Sequence, residues 1–88
     1  MHAVVVDVSI SDLDQARKEL DESVVPGVSR APGFVSGVWV RLDGNKGRSI
    51  VVFESEEAAN AGAGQVRAMA RAGVTVDSVS VGEVVAHA

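Results

Sequence analysis

The chain has no cysteine, no tyrosine, two prolines and 3% aromatic residues in 88 positions. The lack of cysteine excludes a disulfide framework, a thiolate nucleophile, a zinc ribbon and an iron–sulfur cluster. It is compatible with a reducing compartment, and the cytoplasm is the expected location. Basic residues are also scarce: eight Lys and Arg stand against twelve Asp and Glu, for a formal net charge of -4. That balance leaves no electrostatic footprint for nucleic acid or an anionic membrane surface, so neither is expected as a partner. Long hydrophobic runs are missing too. Asp7 interrupts the only early one and no basic segment precedes it, so neither a signal peptide nor a membrane span is expected. What remains, 47% apolar and 23% charged residues, describes one domain over residues 1–88. Such a domain buries only about 60 to 65% of the surface its unfolded chain exposes, and a second subunit would help appreciably.

Six elements can be read along the chain. Ala3 to Ile10 is β-branched and alternating, with Val4, Val6, Val8 and Ile10 on one face and Val5, Asp7 and Ser9 on the other. Ser11 followed by Asp14 is a variant capping box, so a helix is expected to start there. Its apolar positions Leu13, Ala16, Leu20, Val24 and Val28 keep one face through Pro26, where a kink or brief break is expected. Pro32-Gly33 ends the segment. Phe34 to Leu42 alternates again, placing Phe34, Ser36, Val38, Val40 and Leu42 opposite Val35, Gly37, Trp39 and Arg41. Asp43 to Gly47 supplies the hairpin connection before a strand over Arg48 to Glu54. Ser55 caps a second helix with Glu56 and Glu57 in its first turn. Ala59, Gly62, Val66, Met69 or Ala70, and Gly73 form its small-residue face, with Gly73 as the expected C-cap. The interior glycines 62 and 64 cost roughly 1 kcal/mol each relative to alanine, so this helix depends on close packing. Val74 to His87 is the last strand, with a bulge expected at Gly82.

The order β-α-β-β-α-β predicts an α+β, ferredoxin-like fold: a four-stranded antiparallel sheet with two helices on one face. Both sides of the sheet carry valine, so the uncovered side is expected to pair with a second copy through residues such as Val35 and Val5. The plainer account is that the valines reflect strand propensity alone.

Two segments carry a resemblance. Pro26-Gly27-Val28-Ser29-Arg30-Ala31-Pro32-Gly33-Phe34 leads from the first helix into strand two, and Val52-Phe53-Glu54-Ser55-Glu56-Glu57-Ala58 opens the second crossover. These resemble features of the dimeric α/β barrel superfamily, and within it the antibiotic biosynthesis monooxygenase-like family. The resemblance implies two ferredoxin-like subunits whose sheets pack into a barrel and, in some members, a pocket between sheet and helices. Active members hold their substrates with aromatic, Asn and His side chains. This chain departs from them: it has no Tyr, its second helix over 56–72 has neither His nor Trp, and Asp7 stands where the haem-degrading branch has an Asn.

Read residue by residue, the reactive inventory is short. Trp39 beside Gly37 can wall a planar ligand, with the missing side chain leaving room, and Arg41 can receive an anionic group. The alternative is a core or interface aromatic with an Arg at the strand end. Asp7 is a weak catalytic candidate, and Glu54 shares its place on a central strand, but a solvated strand-end carboxylate is the commoner fate. His2 and His87 are expected near each other at neighbouring strand ends; two imidazoles fall short of the three ligands of a catalytic zinc, so no metal site is assigned. Gly62-Ala63-Gly64 lies inside a helix pattern and reads as packing, and no Ser has an adjacent His base. No cofactor is expected. The preferred functional reading is a non-catalytic dimeric domain that binds a small molecule or a protein. The alternative is a cofactor-independent monooxygenase-like enzyme acting on a small apolar or aromatic compound near Trp39, with Asp7 as its acid–base residue.

Overall fold

The computed structural model describes residues 1–68 and 73–88. In chain order its elements are β1 (His2–Ile10), α1 (Leu13–Glu19), a π-helical turn (Leu20–Val24), α2 (Val25–Ser29), β2 (Phe34–Leu42), β3 (Lys46–Phe53), α3 (Glu56–Ala68) and β4 (Val74–Glu83). The β-branched run that opens the chain occupies a central strand, paired antiparallel with β3 on one side and β4 on the other. The sheet order is β2-β3-β1-β4. This is the ferredoxin-like arrangement that the order of elements predicts.

Alternation sends Val4 and Val6 of β1 toward the helices, where they pack with Val51, Phe53, Ala59 and Ala63 as the buried core. Phe34 meets Phe53 edge to face, ring centroids 6.4 Å apart and planes at 82°. Ala59 and Ala63 are fully buried, so α3 approaches the sheet on small residues. Gly62 takes part in this approach: a β-carbon there would lie 2.8 Å from Cζ of Phe53. Gly64 differs, with nothing within 4 Å of the same position. Only one of the two interior glycines is therefore demanded by packing.

The first crossover explains what Pro26 does. Proline has no N–H and its ring crowds the carbonyl four residues back, so the ordinary ladder cannot run through it. The chain widens by one residue just before it: the N–H of Val25 donates to the carbonyl of Leu20, five residues back, and helical geometry continues into α2. The expected kink takes the form of a π turn.

Several boundaries differ from the sequence expectation, each for a local reason. Asp12, not Ser11, caps α1, its carboxylate accepting from the N–H of Gln15 at 3.1 Å. Ser11 and Asp12 are held instead by backbone donation to the carbonyl of Gly73, at 2.8 and 3.2 Å. Gly73 has φ +80, and a β-carbon there would sit 2.6 Å from the Asp12 carbonyl oxygen. Positions 69 and 70, proposed for the α3 face, lie outside the described residues. Lys46 and Gly47 belong to β3 rather than to the turn, whose positive φ angles fall at Gly44 and Asn45. The β4 bulge sits opposite Asp7 and Val8, not at Gly82. Beyond Glu83 the strand stops, and Val85 is 90% exposed.

β2 carries the most consequential difference. A register shift between Phe34 and Ser36 breaks the simple alternation, so Phe34 pairs with Phe53 in the core and Val35 is exposed. Val35 therefore does not continue the face of Gly37, Trp39 and Arg41. That face, the less apolar one by sequence, is the side turned toward the helices.

Candidate functional site

Three cross-strand rows face the helices: Gly37–Val51–Val4–Val81, Trp39–Ser49–Val6–Val79 and Arg41–Gly47–Val8–Val76. On the β1 and β4 half of each row stand valines. On the β2 and β3 half, Gly37, Ser49 and Gly47 contribute almost no volume. Under-filled rows leave a void where close packing is the norm. The void here is a cavity of about 320 Å³ between the sheet and the helical layer, large enough for a small organic ligand.

The walls of this cavity are mostly aliphatic. Val6 and Val8 form part of its sheet side, and Leu20 and Val24 of the π turn close the helical side. Trp39, the only Trp of the chain, stands in the wall. Its indole leans back over Gly37, where a β-carbon would lie 2.7 Å from Cη2 and 2.8 Å from Cζ3. The room expected at Gly37 is thus taken by the indole itself, and the open volume lies further along, over Ser49 and Gly47. Arg41 also lines the cavity, together with Arg17, Glu19 and Gln65. Among the described residues, Glu19 is the one carboxylate there.

Asp7 is elsewhere. It lies on the opposite side of the sheet in the row Val40–Arg48–Asp7–Ser78. Its carboxylate accepts from Nε of Arg48 at 2.7 Å and from the Ser78 hydroxyl at 3.0 Å. The Arg48 hydrogen bond first, and the Ser78 hydroxyl second, hold its pKa below the ordinary value of 3.8. A carboxylate so stabilised is a weak proton acceptor, and the sheet separates it from the cavity. Beside it the Ser9 hydroxyl donates to Asp77 at 2.6 Å and Lys46 donates to Ser9 at 2.7 Å. The β4 bulge makes this second cluster possible, since it leaves Asp77 without a register partner in β1.

The remaining candidates are dispersed. Glu54 is exposed just past β3, its N–H donating to the Gly33 carbonyl. The imidazole of His2 faces Glu56 at the start of α3, Nε2 to Oε2 3.2 Å. His87 lies in the exposed segment after β4. Among the described residues, no three His, Cys, Asp or Glu side chains gather as a metal site would require.

The open side of the sheet is divided. The polar clusters run across β3, β1 and β4 through Arg48, Asp7 and Ser78 and through Lys46, Ser9 and Asp77, whereas Val38, Val40 and Leu42 of the edge strand β2, with Ile50 of β3, expose apolar surface. Val38 pairs with Ile50, and Ile50 with the half-buried Val5. No described helix is long and apolar enough to cross a membrane.

Sequence reasoning placed Trp39, Gly37 and Arg41 in one pocket but missed Ser49, Gly47 and the π-turn residues. The first two were legible in principle: reading β3 two residues earlier puts Gly47, Ser49 and Val51 on one face. Compared with known proteins, the chain matches no family model and no curated protein.

Proposed function

We propose that the chain is a cytoplasmic, homodimeric binding domain of the dimeric α/β barrel type, similar to the antibiotic biosynthesis monooxygenase-like family. It takes a small apolar molecule between sheet and helices without transforming it. The observation that carries this reading is the 320 Å³ aliphatic cavity with the single Trp in its wall. The dimer reading is supported by the apolar edge of the open sheet face, where Val38, Val40 and Leu42 are exposed alongside Ile50, and by the exposed Val35 at the start of β2. Exposed apolar patches of this kind mark interaction surfaces. The non-catalytic reading is supported by Asp7 lying across the sheet from the cavity.

A second reading, a cofactor-independent monooxygenase acting on an apolar or aromatic compound, draws on the same cavity, because a largely apolar site desolvates what it holds. Turnover that changes on Trp39→Phe would favour it; substrate bound and released unaltered removes it. The primary test is native mass spectrometry of the purified protein. A dimer carrying a small-molecule adduct is the expected result. A monomer overturns the barrel reading, and a bare dimer that takes up no apolar ligand overturns the binding reading.

A further inference from the structure

We propose that the ligand of the sheet–helix cavity is a small amphiphile with an anionic head, a carboxylate on an apolar skeleton, whose head is received by Arg41 and Arg17. This rests on the binding reading above and narrows it to a chemical class. The cavity volume sets the skeleton: at about 30 Å³ for each water-sized group, 320 Å³ accommodates on the order of ten heavy atoms. Its valine and leucine walls offer such a skeleton no polar partner along most of its length.

Charge sets the head. The chain carries a net charge of -4, so the molecule as a whole repels an anion. Around the cavity the balance reverses, with the side chains of Arg17 and Arg41 against Glu19 alone. Arg48 is engaged by Asp7 on the far side of the sheet. Among the described residues, Arg17 and Arg41 form no ion pair and donate no side-chain hydrogen bond. Two fork-shaped donors at an apolar cavity, both exposed, match a carboxylate that stays near water while its tail enters. They come from different layers, Arg17 from α1 and Arg41 from the end of the edge strand β2.

The single Trp in the wall supplies the readout. Trp39 emission is followed while octanoate and, separately, 1-octanol are titrated into the wild-type protein and the Arg41→Gln, Arg17→Gln and Arg41→Lys variants. Both arginines are exposed, so their substitution leaves the fold intact, which far-ultraviolet circular dichroism verifies. Octanoate is expected to bind about two- to fivefold more tightly than 1-octanol, a difference appropriate to a solvated charge pair. Arg41→Gln and Arg17→Gln are each expected to remove much of that preference by lowering octanoate affinity far more than 1-octanol affinity, and Arg41→Lys to restore part of it. Equal affinity for the two probes, or octanoate binding indifferent to both arginines, overturns the anionic-head proposal while the cavity-binding reading stands. Saturable binding of neither probe overturns both.

Discussion

The indole of Trp39 lies over Gly37, two residues earlier on the same face of β2, so close that a methyl group at position 37 would press into the ring. An aromatic ring that shields an edge-strand glycine fills the gap glycine leaves. Gly37→Ala should therefore force the indole off the strand and toward the cavity. The expected results are a shifted Trp39 emission maximum, weaker uptake of apolar ligand, and a loss of stability of about 1 to 3 kcal/mol, as for overpacked sites. Unchanged emission and stability would mean that the ring is not held over Gly37.

Ser49 tests the cavity from its sheet side. It is half-buried on the helix-facing side of β3, and its hydroxyl makes no hydrogen bond among the described residues. Ser49→Val adds apolar volume and strand propensity where there is room. Denaturant unfolding should report a gain of about 0.5 to 1 kcal/mol, while ligand uptake falls.

The two interior glycines of α3 should part company. Gly64→Ala meets empty space and gains helix propensity, about 0.5 to 1 kcal/mol of added stability. Gly62→Ala places a methyl group against the buried ring of Phe53, so a loss of about 1 kcal/mol or more is expected. Thermal melts of the two variants side by side settle whether α3 packs at Gly62 directly against Phe53.

Val38 addresses the dimer. It is 58% exposed in the single subunit, so Val38→Glu should change subunit stability by no more than about 0.5 kcal/mol. In a face-to-face dimer the same substitution buries an unpaired charge, and analytical ultracentrifugation should find monomers. A variant that remains dimeric would place the interface on another surface.

Asp7 should leave a mark on the acid limb of stability. Its folded-state pKa is depressed by Arg48 and Ser78, so its contribution is fully present above the unfolded value of about 3.8 and is lost as pH falls through the depressed folded value. Asp7→Asn should flatten that part of the pH profile and leave ligand uptake unchanged, because the carboxylate lies across the sheet from the cavity. A variant that abolished uptake would return Asp7 to the site.

The parts of the fold legible in the sequence are those governed by local periodicity. Alternation in Val4, Val6 and Val8 against Val5, Asp7 and Ser9 assigns both faces of β1, and the hairpin and cap residues bound β3 and α3 closely. The order of six elements then leaves few topologies. Less legible was anything depending on a single inserted residue. The irregularity at Val35 moves Phe34 onto the core face, and the bulge at Asp77 leaves that residue unpaired. Neither leaves a local signature, since each is decided by which register lets distant strands bury their large side chains.

The sequence by itself determined the element order, the ferredoxin-like sheet and the shared strand face of Gly37, Trp39 and Arg41, because strand and helix periods act over neighbouring residues. Only the tertiary structure decided that this face turns toward the helices, that Asp7 lies across the sheet from it, and that Gly37, Ser49 and Gly47 under-fill one region into a cavity. Those outcomes depend on cross-strand register and on the volumes that distant residues bring to the same place.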